Sequence, residues 1–212
     1  MSAARGKFIS FEGGEGTGKS TQARLLKASL ENKGKRLVLT REPGGSPGAE
    51  QIRKLVVEGE PQRWTPLSET LLFLAARADH VARIIEPSLE SGMWVVSDRF
   101  SDSTYVYQGI ARGLGTEKVR RLQEAALGAF APDLTVVLDL DPVEGLTRAG
   151  KRASGDENRF ERFGGGFHET LRAAFRDIAK SEPQRCVLID AERAPEMVAA
   201  DVWRAVEERL KP

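Results

Sequence analysis

The sequence predicts an α/β protein: a mostly parallel sheet with helices on both faces. Short apolar runs of about five residues recur along the chain, and long amphipathic segments separate them. The runs are also apolar throughout. Val95-Val96 and Val136-Val137-Leu138 show no polar alternation, as befits strands covered on both sides.

Taken in order, a first strand is expected at Lys7–Phe11, followed by a helix over Lys19–Asn32. A second strand, Arg36–Thr40, precedes helices at Ala49–Glu58 and Ser68–Ser91. The third strand is Trp94–Ser97 and the next helix Glu117–Phe130. Leu134–Asp139 is the fourth strand, with helices at Pro142–Ala153 and Phe167–Ser181 after it. Cys186–Asp190 and the helix Pro195–Leu210 complete the set. Each strand is β-branched or aromatic-rich and is bounded by Gly, Pro, Asp or a cluster of charges. One segment departs from the alternation. Arg148–Gly166 reads RAGKRASGDENRFERFGGG, nearly without aliphatic residues, and is expected as an exposed loop or mobile flap.

The chain has 212 residues, the size of one domain, spanning 1–212 with the flap at about 148–166. Apolar residues make up 40%, and the 21 glycines bring the share to roughly half, enough to bury a core. Thirty-two Lys and Arg against 31 Asp and Glu leave a net charge of +1, which excludes the bulk basicity of a duplex-binding domain. Cys186 alone excludes an intrachain disulfide, and with only His80 and His168 a histidine metal site is not expected. No run approaches the ~18 apolar residues of a spanning helix. Met1–Lys7 does not read as a signal peptide, so a cytoplasmic protein is expected.

In open α/β sheets, ligands bind beyond the C-terminal ends of the strands. Directly after the first strand stands Gly13-Gly14-Glu15-Gly16-Thr17-Gly18-Lys19-Ser20, which matches G-x-x-x-x-G-K-[ST] and runs into a helical pattern. The glycines let backbone N–H groups turn onto phosphate oxygens, and the helix N-terminus adds its positive end. Lys19 would bridge the β- and γ-phosphates of a nucleotide, and the Ser20 hydroxyl would ligate Mg²⁺. An acid after an apolar strand should join the metal. Asp98 and Asp139 both qualify; Asp98 is favoured because polar residues follow it.

Further motifs narrow the class. Phe11–Thr21, Thr40-Arg41-Glu42-Pro43-Gly44-Gly45 with Ile52-Arg53, Leu72–His80, and Asp98-Arg99-Phe100-Ser101-Asp102-Ser103-Thr104 running into Tyr107-Gln108-Gly109 together resemble the bacterial thymidylate kinases. With the arginine-rich flap, the resemblance spans Ile9 to about Glu161. It implies an α/β/α phosphate-loop kinase fold with five parallel strands in the order 2-3-1-4-5 and an arginine-rich lid. The activity implied is transfer of a phosphoryl group from ATP to dTMP, giving dTDP, with Mg²⁺ as cofactor and a homodimer as the assembly.

The site residues follow from the same resemblance. Gly13 to Thr21 would hold the ATP phosphates, and Ser20 and Asp98 the metal. Glu15, Glu42, Arg53, Phe73, Arg77, Arg99, Thr104, Tyr107 and Gln108 would hold dTMP. The family stacks the matching Phe73 on thymine, points Arg77 at O4, and gives Thr104 and Gln108 the N3/O4 edge. Tyr107 would lie under the deoxyribose and disfavour a 2′-hydroxyl; Glu15 would order the acceptor near its 3′-hydroxyl. Arg53 and Arg99 would meet the acceptor phosphate. Because Gly16 follows Glu15, no basic residue stands at that loop position, and the flap must supply the catalytic cation; Arg148, Arg152 and Arg159 are the candidates beside Lys19 and Arg99. Two departures from the family pattern are Gly150, where some relatives carry another arginine, and the run Gly164-Gly165-Gly166.

On the residues alone, other readings stay open. Phe73 also fits an apolar helix stripe, Tyr107 a core edge, Asp98-Arg99 a strand-capping ion pair, and Thr40–Gly45 a well-made turn. Rival functions are a kinase for dUMP or UMP, and a GTPase or regulatory nucleotide-binding module. Against the latter, the sequence has no Asn-Lys-x-Asp guanine motif.

Overall fold

The computed structural model describes residues 4–151 and 157–212; Arg152 and Ala153 lie outside them. Five strands form one parallel sheet in the order β2-β3-β1-β4-β5. They are β1 (Phe8–Glu12), β2 (Leu37–Arg41), β3 (Trp94–Asp98), β4 (Leu134–Asp139) and β5 (Cys186–Asp190). β1 is central and wholly buried, with Ser10 level with Ser97 on one side and Thr135 on the other. Side chains alternate across it. Ile9 and Phe11 pack under α1 (Lys19–Asn32) and α9 (Pro195–Leu210) with Leu26, Leu30, Val202 and Val206. Phe8 faces the other way, onto Val95, Ile85, Leu89 and Phe100. On that same side α8 (Gly165–Ser181) lays Leu171, Phe175 and Ile178 against Val137 and Cys186. The Cys186 thiol is pushed up to about 12 by burial, which leaves it an unreactive core group.

The remaining helices differ from the sequence expectation at informative points. α2 (Pro47–Val57) starts two residues early because Ser46 caps it, accepting from Ala49 N, with Pro47 in the first turn. The long helix expected over Ser68–Ser91 is α3 (Pro66–His80), a π-helical segment (Val81–Ile85) and α4 (Glu86–Glu90). Pro87 accounts for the break: it has no N–H for the carbonyl of Arg83, and its ring crowds that carbonyl, so the preceding turn widens. α5 (Ser101–Thr104) runs into a second π-helical segment, Tyr105–Ala111. α6 (Thr116–Leu127) stops short of the expected Phe130 at Gly128, whose φ of 62° is left-handed. α7 (Pro142–Gly150) is capped by Asp141, which accepts from the N–H groups of Val143 and Glu144.

The expected exposed flap is corrected most. Within the described residues, Arg148 belongs to the last turn of α7 and Gly165 opens α8. Arg159 is completely buried. Its Nε, Nη1 and Nη2 donate to the carbonyls of Glu60, Val56 and Pro61 at 2.9, 3.0 and 2.6 Å. Nη2 also pairs with the equally buried Glu69. Aliphatic poverty suggested a segment unable to bury itself; a guanidinium with every side satisfied buries instead. Arg159 is therefore an anchor of the flap, and its expected catalytic role is withdrawn. Replacing it should unfold rather than slow the protein. Arg159→Met takes the nearer of two cations from buried Glu69, leaving Arg112 at 3.8 Å, and should cost about 3–5 kcal/mol in urea denaturation, whereas Arg159→Met with Glu69→Met should recover part of that loss.

Candidate active site

The strand ends and the segments after them enclose one cleft of about 460 Å³. One end is the phosphate loop. Gly13, Gly16 and Gly18 hold φ of 134°, 67° and 92°, values that side chains resist. At Gly16 the reason is also spatial. A Cβ there would stand 1.9 Å from the carbonyl oxygen of Gly145 in α7, and a Cβ on Gly145 would stand 2.4 Å from the carbonyl oxygen of Glu15. The loop thus lies against α7 through two glycines. The N-cap of α1, Gly18, offers no side-chain cap, so first-turn N–H groups stay available to an anion.

Lys19 curls back over this loop, donating to the carbonyls of Gly13 (3.1 Å) and Gly14 (2.6 Å). Burial, then the Arg99 charge, lower its pKa to about 8 against the partial support of Glu15 and Asp98. Ser20 Oγ donates to Asp98 Oδ2 at the loop's outer edge, so the two expected metal ligands do meet. Both are hard oxygen donors beside the phosphate cradle, a set that suits Mg²⁺.

Arg99 stands in the middle of the cleft. Its φ of 71° is left-handed, a rare state for a residue with a side chain. The turn is held from below by Glu12, which accepts from Phe100 N at 2.8 Å and from Ser103 Oγ at 2.6 Å. Burial and the nearby Asp102 charge push Glu12 up to about 7. Arg99 Nη1 donates to Gly13 O and Ser103 Oγ, and Nη2 reaches both oxygens of Glu15 at 3.1 Å. Tyr107 donates its hydroxyl to Glu15 Oε1 at 2.7 Å, with the Arg99 guanidinium over its ring. Burial alone would raise the Glu15 carboxyl, but Arg99, Lys19 and Tyr107 outweigh it and lower the pKa to about 2. The Asp98-Arg99 strand-capping pair does not form; the acid turns to Ser20 and the cation to Glu15.

The far wall is built on α3. Phe73 is half-buried and lines the cleft, its ring 6.1 Å from Phe160 of the flap, rather than joining the core. Arg77, one turn on, is 2% exposed and stacks on Phe100. It donates through Nε to Glu42 (2.6 Å), through Nη1 to Thr104 (2.9 Å) and through Nη2 to Phe100 O (3.0 Å). The second Glu42 oxygen is 3.0 Å from His80 Nδ1, whose Nε2 is 2.8 Å from Thr40 Oγ1. Glu42 therefore lines the cleft with both oxygens committed, and what it visibly does is orient Arg77. Gln108 donates Nε2 to Glu69. Arg53 is in the cleft, as expected, but its fork grips Glu157 of the flap. Tyr107 is both lining and core: it packs edge-on against Phe160, Phe167 and Phe175.

The other two flap arginines differ in what can be said of them. Arg148 does not line the cleft; it donates to Ala191 O and pairs with Glu144 one turn back. Arg152 lies outside the described residues. Glu12, Ser103 and His80 escaped the sequence reading. All three stand inside the quoted motifs, but a buried bracing role has no spacing signature. His168 also went unread; burial lowers its pKa, and its Nε2 has no hydrogen-bond partner among the described residues.

A phosphate loop and a second cationic pocket facing each other across one cleft define a phosphate-loop kinase for a small phosphorylated acceptor. The thymidylate kinase family model matches residues 11–202. Thymidylate kinases from Bradyrhizobium diazoefficiens and Dinoroseobacter shibae are 52% and 55% identical to this chain, over 100% and 93% of it and 93% and 94% of their own lengths. The crystal structure of thymidylate kinase from Ehrlichia chaffeensis superposes with a TM-score of 0.77 at 33% identity, covering 96% of this chain and 99% of that one. The chain belongs to the thymidylate kinase family.

Two consequences are measurable. Phosphates on Lys19 should raise its pKa from about 8, so ATP binding should take up protons near pH 8 and weaken as pH rises further. Calorimetry in buffers of different ionisation enthalpy reads that uptake. Gly16→Arg should fail to place its cation in the loop, because φ and the Gly145 carbonyl both oppose it, and should lower the melting temperature.

Proposed function

We propose that this chain phosphorylates dTMP with ATP through the residues of the cleft, as the members of its family are named to do. The observation that carries the assignment is the composite wall of Phe73, Arg77, Thr104 and Gln108 opposite the phosphate loop, with Arg99 between. An aromatic plate, a fixed guanidinium edge and an amide form a slot for a pyrimidine. Arg77 spends most of its N–H groups on Glu42, Thr104 and Phe100, which sets its plane for a base carbonyl. With Nε2 of Gln108 given to Glu69, its amide oxygen is the atom left to accept the thymine N3–H. Tyr107, pinned through its hydroxyl to Glu15, crowds the ribose 2′ position.

At the other end the loop N–H groups and Lys19 receive the ATP phosphates, and Arg53 and Arg99 receive the acceptor phosphate. Ser20 and Asp98 would hold Mg²⁺, which when bound neutralises charge between the β- and γ-phosphates. The acceptor phosphate is already ionised near neutral pH, so no residue need remove a proton. The protein's task is to align two anions in line and to offset their repulsion. Arg148, on leaving Glu144 and turning into the cleft, and Arg152 are the remaining flap candidates for that role.

We also propose a cytoplasmic location, as the ATP-dependent reaction would suit. Among the described residues no helix is long and apolar enough to cross a membrane. We also propose the homodimer that the family resemblance implies; Leu55 on α2 and Leu67 and Leu71 on α3 are exposed and offer an apolar face for it.

A coupled ADP assay across nucleoside monophosphates is the direct test. dTMP should be preferred over UMP, and UMP turned over as efficiently as dTMP would sink the role of Tyr107. Lys19→Ala should reduce kcat by roughly a hundred- to a thousandfold. Phe73→Ala should instead raise the KM for dTMP by about tenfold, the loss of one base–aromatic stack. Equal, mild effects from both would contradict the two-ended cleft.

A further inference from the structure

The acceptor end of the cleft contains an anion supplied by the chain itself. Glu157, in the flap segment, sits on Arg53 of α2 with Nε to Oε1 at 3.0 Å and Nη2 to Oε2 at 2.7 Å. Arg53 Nη1 donates to the Pro43 carbonyl at 2.7 Å, which fixes the plane of the fork. Both side chains line the cleft, although the residues are 104 positions apart in sequence. The hydrogen bond to Arg53 leads the influences that hold the Glu157 carboxyl below its usual range, and Arg41 adds to them. Arg41 itself is turned to Glu50 at 3.2 Å, so Glu157 and Glu50 are the acids facing this cationic edge.

Glu157 occupies the paired Nε and Nη2 donors of Arg53, the edge that takes a carboxylate or a phosphate oxygen pair in the same way, so a phosphate bound at that edge must displace it. We propose that Glu157 is an intramolecular competitor for the acceptor phosphate, a residue that lowers the affinity for phosphate-bearing acceptors and leaves that for the uncharged nucleoside unchanged. The inference rests on the reading of Arg53 as a ligand of the acceptor phosphate. A phosphate dianion brings more charge to Arg53, Arg41 and Arg99 than the single carboxylate it replaces. Thymidine brings none, so with thymidine bound Glu157 stays in place and the cleft remains neutralised.

Half of the Glu157 side chain is solvent-exposed, so its replacement leaves the core intact. The test is calorimetric binding of dTMP and of thymidine to the full chain, without ATP, for the parent, Glu157→Gln and Arg53→Met. Glu157→Gln should tighten dTMP by about three- to fivefold, the range of a partly exposed ion pair, with no gain for thymidine. Arg53→Met should weaken dTMP. If Glu157→Gln leaves dTMP unchanged while Arg53→Met weakens it, the competition is wrong and the Arg53 reading stands. An equal gain for thymidine would mean that Glu157 merely fills space, which also overturns the proposal. If Arg53→Met leaves dTMP affinity intact, the reading of Arg53 fails and the competition falls with it.

Discussion

The arrangement of this cleft depends on one ion pair, Arg99 with Glu15. Glu15 is the acid of the phosphate loop after β1, and Arg99 is the first residue beyond β3. The sheet brings those two strand ends side by side, with Phe11 level with Asp98. The pair then locks loop to turn. A left-handed residue with a long side chain is costly, on the order of 1–3 kcal/mol, and persists only when its surroundings overdetermine it. Here they do: Arg99 N donates to Phe11 O, its guanidinium holds Gly13 O and Glu15, and Glu12 anchors the next turn beneath. Remove that pair and the donor site and the acceptor site lose their common reference.

The same logic governs the other cations. Lys19, Arg41, Arg53, Arg77 and Arg99 all border the cleft, and each arginine meets a carboxylate: Glu50, Glu157, Glu42 and Glu15. The near-equality of 32 basic and 31 acidic residues is therefore reproduced inside the site itself. Those carboxylates are of two kinds. Glu42 is buried and Glu15 largely covered, both among fixed donors, and they act as braces. Glu50 and Glu157 are about half exposed, and such pairs are held weakly enough to be exchanged.

The five strands were legible because a buried parallel strand has few ways to be written: Val95-Val96 and Val136-Val137-Leu138 admit little else. Their order came from resemblance, since alternation of elements does not specify neighbours. The phosphate loop and the Asp98–Arg99 turn were legible as motifs. What escaped is what depends on packing in three dimensions. Pro87 was in view, yet the widened turn before it follows from a clash inside a helix whose amphipathic pattern is otherwise unbroken. Arg159 read as a catalytic cation of an exposed flap because composition cannot reveal three carbonyls and Glu69 converging on it from α2, α3 and the loop between. Glu42 carried the right place and a different task. It was recognisable at a strand end, but only the structure shows His80 and Arg77 taking its two oxygens.

The contact between Gly16 and Gly145 bears on how such a site can change over generations. A cation for phosphoryl transfer can sit in the loop or in the flap, and the two solutions look like alternatives separated by a single codon. In this chain they are not. The loop residue faces the backbone of α7 at a distance where neither partner tolerates a β-carbon. Moving the charge into the loop would require α7 to retreat first, before any benefit from the new cation. A single close approach between two backbones thus stands between this loop and a side chain at Gly16.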